Sequence, residues 1–136
     1  MKLDDRAIRN LVDVHPHLVE IVGLCSEICP VKFTVTEGLR SMQRQIRLFD
    51  SGASRSMKSR HLTGHAVDLA ALVDLDGDGK FDIRWDWPLY KTIADNMKEA
   101  AKRLKLKVEW GGDWKSFKDG PHFQLPWNEY PPEGEK

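Results

Sequence analysis

His61, His65 and Asp68 fall together in SRHLTGHAVDL, residues 59–69, a stretch whose second half alternates like a strand. Successive strand side chains face opposite ways, so His65, Val67 and Leu69 share one face and Ala66, Asp68 and Ala70 the other. Asp68 therefore stands between two alanines that leave room above it. Packing does not account for a carboxylate there, and a buried charge must be paired or bind a metal. His61 precedes the strand by a turn-like segment, and a fold-back at Gly64 would bring it over Asp68. A third donor, His122, stands in DGPHFQL, on one face with Gln124 while Phe123 and Leu125 face the core.

A catalytic zinc takes three protein ligands and keeps one position open. Hydrolysis also needs a base that takes a proton from water and passes it to the leaving amine. Asp119, held near His122 by a stiff Gly-Pro turn, fits that place. His61, Asp68 and His122 with Asp119 thus form a coherent set for metal-assisted hydrolysis. Glu109 and Asp113 are rival bases, ranked lower because neither is coupled in sequence to a proposed ligand. His65 reads as a surface residue or a neighbour of the ligands, and His15 and His17 as helix-cap or surface residues.

The elements that must hold this set can be read from periodicity. Residues 4–13 have helical apolar spacing, and Pro16 opens a second helix running toward Cys29. KFTVTEG reads as a strand, and residues 41–52 as a helix stopped by Gly52. Residues 54–59 read as a mobile basic loop. HAVDLAAL is a strand, VDLDGDGKFD a loop, and residues 89–106 a long helix with Pro88 in its first turn. KVEWGG and PHFQLPW read as two short strands, and the tail from Asn128 as frayed. This order predicts an α+β fold: a small, mainly antiparallel sheet with flanking helices and the metal site in a cleft on the sheet.

The 136 residues suit one domain and one core, residues 1–136, with a helical N-terminal part over residues 1–30. Lysine plus arginine and aspartate plus glutamate both number 21, so no field that attracts nucleic acid is expected. No run approaches the roughly 20 apolar residues of a membrane span. The start, MKLDDRAIRN, lacks the apolar region of a secretory signal. Cys25 and Cys29 read as buried, unpaired thiols. The expectation is a monomer, without nucleic-acid binding or membrane insertion.

SRHLTGHAVDL matches S-x-H-x-x-G-x-A-x-D, and with TEGLRS, WDWPLY and EWGGDWKSFKDGPHFQL it resembles the zinc D-alanyl-D-alanine peptidase family. The resemblance is greatest to the phage L-alanyl-D-glutamate endopeptidases. It covers roughly residues 33–127. It implies zinc held by His61, Asp68 and His122, with Asp119 as acid and base; the family's dipeptidases carry glutamate at that last position. It implies that Arg40 binds the substrate carbonyl or developing oxyanion; an ion pair with Glu37 is the alternative. Ser59, part of the signature, would hydrogen-bond substrate or cap a loop. Gln43, on Arg40's helix face, is a further candidate substrate contact. The implied activity is cleavage of bacterial peptidoglycan stem peptides in host lysis. The enzyme would be made in the host cytoplasm without a signal peptide and reach the wall through a membrane pore. The rival readings are a D,D-carboxypeptidase of the same family and a non-catalytic, metal-stabilised peptidoglycan-binding module.

One motif stands apart. Asp74, Asp76, Asp78 and Gly79 match the first half of an EF-hand loop, with Asp82 at its ninth position. Its twelfth position is Trp85 rather than glutamate. The loop is a candidate Ca2+ site that would order the segment after Asp68; the alternative is an acidic, glycine-rich turn. Five tryptophans, at 85, 87, 110, 114 and 127, read as core or cleft wall.

Overall fold

The computed structural model describes residues 3–52 and 59–131. Most of the expected basic loop, residues 54–58, lies outside the described residues.

Helix α1 (Asp5–Asn10) starts where the Asp4 carboxylate accepts the Ala7 amide at 2.9 Å. α2 (Pro16–Ile28) has proline in its first turn, with the His15 ring accepting the His17 amide. Leu18, Ile21, Val22 and Cys25 form its buried stripe. Both cysteines are free and buried. β1 (Lys32–Glu37) pairs with β2 (Ala66–Val73), which lies centrally in the sheet. Between them come α3 (Met42–Asp50) and a 3-10 turn over Arg60–Thr63. Beyond β2 lie β3 (Asp82–Arg84), α4 (Trp87–Arg103), β4 (Glu109–Trp110) and β5 (His122–Gln124).

All the ladders are antiparallel, in the order β1-β2-β5-β4, with β3 also on β2. The architecture is thus the expected α+β. β5 pairs with the first half of β2 and β3 with its last three residues. Strand alternation sends Val67, Leu69 and Ala71 into one core with α2 and α4, while Asp68 faces away from it.

Three differences from the sequence reading have clear causes. The candidate calcium loop ends in β3, where Asp82 pairs with Val73. α4 stops at Arg103, because Lys105 takes a positive φ of 60° and Leu106 N–H turns back to the Ala101 carbonyl. Glycine usually marks such a stop, and here lysine occupies it. The first part of the expected frayed tail is held through Tyr130, and its residues 132–136 lie outside the described residues. The Tyr130 hydroxyl lies 2.7 Å from His17 Nδ1, and the Tyr130 carbonyl accepts from the Arg60 guanidinium at 2.8 Å.

Candidate metal centre and its cleft

His61 enters the site through a short turn. The Ser59 hydroxyl caps it by accepting the His61 amide, and Gly64 ends it in the left-handed region with φ 76°. A Cβ at Gly64 would lie 2.5 Å from the Asp13 carbonyl oxygen, so the reversal requires glycine. Asp68 and His122 face each other directly in the β2–β5 register.

Hydrogen bonds fix the two imidazole tautomers. His61 Nδ1 lies 2.8 Å from the Gly38 carbonyl, which can only accept, so Nδ1 carries the proton. His122 Nε2 lies 2.7 Å from Gln124 Oε1, whose amide nitrogen donates to Glu109 at 3.3 Å. Glu109 can only accept, so the Gln124 oxygen faces His122 and Nε2 carries that proton. Both remaining lone pairs, His61 Nε2 and His122 Nδ1, then point at Asp68 Oδ1, each at 3.2 Å.

Three acceptors facing one another repel unless something positive lies among them. Tetrahedral zinc with bonds near ~2.05 Å separates its ligand atoms by about 3.3 Å, close to the spacing seen here. The three donor atoms all lie within 4.8 Å of one another. Burial pushes Asp68 up, but the two histidines outweigh it and hold the carboxyl well below the usual carboxylate range. Burial pushes His122 down, and Asp68 more than reverses this, so its affinity for a proton is raised. The cluster thus attracts positive charge, whether a proton or a metal cation.

These groups lie in a cleft of about 690 Å³ that Arg40, Ser59, Asp119 and Glu109 also line. Asp119 is clamped through its backbone: its N–H donates to the Gly111 carbonyl at 3.1 Å and its own carbonyl accepts the His122 amide at 3.2 Å. Burial and the Asp68 charge raise its pKa, against the pull of His122, His61 and Arg40. Arg40 does pair with Glu37, at 2.5 Å, and it also donates to Gln45 at 2.7 Å. The ion pair and a place in the cleft are therefore compatible.

The chain matches the family described as phage L-alanyl-D-glutamate peptidase over residues 1–125. The chain belongs to that family. It is 35% identical over 105 residues to the L-alanyl-D-glutamate peptidase of Listeria phage A118, a match covering 77% of this chain but only 34% of that protein. It is 28% identical over 122 residues to the L-alanyl-D-glutamate peptidase of Escherichia phage T5, covering 87% of this chain and 85% of the relative. The crystal structure of the Serratia marcescens L-Ala D-Glu endopeptidase ChiX superposes with a TM-score of 0.87 at 44% identity, over 96% of this chain and 94% of that one.

Within this family member, not every candidate reaches the cleft. Gln43 is exposed and does not line it. The corresponding inward residue of α3 is the fully buried Gln45, because a helix turns its faces by 100° per residue. Of the tryptophans, only Trp114 and Trp127 line the cleft; Trp110 is buried, and Trp85 stacks on Tyr90. The Asp74, Asp76 and Asp78 carboxylates approach one another, but Asp82 is not among them. Asp74 accepts the Gly77 and Gly79 amides, as an acidic turn does. Glu109 engages Gln124, and Asp113 pairs with Lys98 outside the cleft. Sequence reasoning missed Gln45, and it missed the bond by which Glu109 holds Gln124. Alternation marked Gln124 as the neighbour of His122, but the bond from Glu109 follows from the β4–β5 pairing, which has no local signal.

Proposed function

We propose that this chain is a zinc-dependent endopeptidase that hydrolyses the L-alanyl-D-glutamate bond of bacterial peptidoglycan stem peptides, and that it serves host lysis. The observation that carries the reading is the convergence of two imidazole lone pairs and one carboxylate oxygen in a cleft that also holds an acidic residue. The activities for which the relatives are named point to the scissile bond.

His61, Asp68 and His122 hold the zinc, which when bound polarises a carbonyl and acidifies water. Asp119 accepts a proton from the attacking water on its carboxylate and returns it to the leaving amine. Its raised pKa suits both halves of that exchange. Arg40, fixed by Glu37 and Gln45, presents positive charge where the carbonyl oxygen gains negative charge. Ser59 supports the site by capping the turn that carries His61.

The test is mass spectrometry of peptidoglycan digested with the zinc-loaded protein, with and without a chelator. Stem peptides beginning at D-glutamate, absent with chelator, are expected. Release of D-alanine alone would move the activity to a carboxypeptidase. No cleavage with zinc bound would make the chain a binding module.

A further inference from the structure

An L-alanyl-D-glutamate bond uses the amine of glutamate and neither of its carboxyls. If the stem continues through one of them, the other stays free, ionised at neutral pH and a few bonds from the leaving nitrogen. A cleft that selects this bond needs a cation for that carboxylate, because Asp119 and Glu109 on the β4–β5 side repel it. Among the described residues, the cations lining the cleft are Arg40, Arg44 and Arg60.

Two of them are committed. The Arg40 side chain is 9% exposed and is bound to Glu37, Gln45 and Ser59. Arg60 is buried beneath the Trp127 ring and donates to the carbonyls of Leu125 and Tyr130. Arg44 differs. Its Nε shares the single Glu37 carboxylate with Arg40, at 3.1 Å, while its side chain remains 52% exposed. Two guanidiniums on one carboxylate leave one positive charge over, and the open guanidinium is the one that can turn to a ligand. Its position is also set: Glu37 lies opposite Asp68 in the β1–β2 register, across the strand from His122.

Resting on the peptidase reading above, we propose that Arg44 is the carboxylate-recognition residue of the cleft. Its guanidinium takes the free carboxylate of the glutamate on the leaving-amine side of the scissile bond, and Glu37 holds it at the β1–α3 rim. The substrate therefore lies with its glutamate side over that rim. The residue selects acidic over amidated stem peptides.

The experiment compares kcat/KM on a soluble L-alanyl-D-glutamyl peptide and on the same peptide with the free glutamate carboxylate converted to carboxamide. The unaltered protein should prefer the acid by roughly 10–100-fold, the range of a charge-assisted hydrogen bond. Arg44→Gln should collapse that preference below about 3-fold, mainly through KM, with zinc content and melting temperature unchanged. Arg44→Lys should restore part of it. Arg47→Gln removes equal charge from the same helix outside the cleft lining and should leave the preference intact. Preference retained in Arg44→Gln, preference absent from the unaltered protein, or preference lost equally in Arg47→Gln would each overturn the assignment. Failure of the zinc-loaded protein to cleave either peptide would instead sink the peptidase reading, and the subsite with it.

Discussion

His122 can offer Nδ1 to a metal only while its Nε2 keeps the proton, and Gln124 is the group that enforces this. Glu109 fixes the amide of Gln124 in turn, so a chain of three side chains sets one lone pair. Replacing Gln124 with leucine removes the acceptor and leaves Glu109 unpaired. Metal affinity should fall by about 10–100-fold, measured by competition with a chromophoric chelator. Asp119 stands apart from the donor group, so Asp119→Ala should change that affinity by less than about 3-fold while lowering kcat by ~10²–10⁴-fold. Wild-type turnover in this variant would move the base elsewhere. The grouping of His61, Asp68 and His122 was legible because strand alternation is a strict rule and a charged residue on the small-residue face breaks it. The Glu109–Gln124 bond was not, since it depends on which strand lies beside β5.

At the scale of elements, the corner at Gly64 joins the turn bearing His61 to β2 and receives the α1–α2 connection, with the His15 amide donating to the Gly64 carbonyl at 2.7 Å. Gly64→Ala would meet both the positive φ and the Asp13 oxygen. It should cost roughly 2–3 kcal/mol in urea denaturation. Strand and helix identities were readable because β2, α2 and α4 have long periodic patterns. The three-residue β3 is too short to carry a period, and its pairing comes from the loop that folds it back. Anchoring of the tail was equally hidden, because Tyr130 is held by His17 and Arg60, which are remote in sequence. The same corner gathers the rings of His15, His17, His65 and Tyr130. Burial lowers the His15 pKa, helped by His17 and Arg60. Burial lowers that of His65 too, with Arg60 and His15 adding to it against a small opposing pull from Thr63. Both therefore bind protons less readily folded than unfolded. Their contribution to stability is complete above the unfolded value of ~6.5 and is lost as pH falls through the lower folded values. Each contribution should be small, because solvent screens these partly exposed rings. Urea midpoints at pH 7.5 and 5.5 (about two units spanning the histidine range) should therefore converge in His15→Asn and His65→Asn, asparagine keeping the helix cap at position 15. An undiminished pH dependence in both would remove these histidines from the account.

For the whole molecule, the candidate metal position ties together segments that the chain supplies from far apart: the turn at His61, central β2 and the late strand β5. The core beneath them is made by α2, α4 and the inward face of the sheet, so the fold does not rest on the metal alone. The three acceptors nevertheless repel in its absence, and the repulsion acts on the β2–β5 ladder that closes the cleft. A cation that binds only the folded chain stabilises it by mass action, about 4 kcal/mol at a thousandfold excess over Kd. For a protein of this size that is a rise in Tm of roughly 8–16 °C. Calorimetry of the chelated and zinc-loaded protein should show this difference. Asp119→Ala should show it undiminished, whereas His122→Ala should lose most of it. A zinc-dependent rise that survives His122→Ala would mean that the stabilising ion sits elsewhere, with the carboxylates of Asp74, Asp76 and Asp78 the first place to look. No rise in the unaltered protein would mean that the converging donors hold a proton rather than a metal, and hydrolysis at this site would then need a different origin.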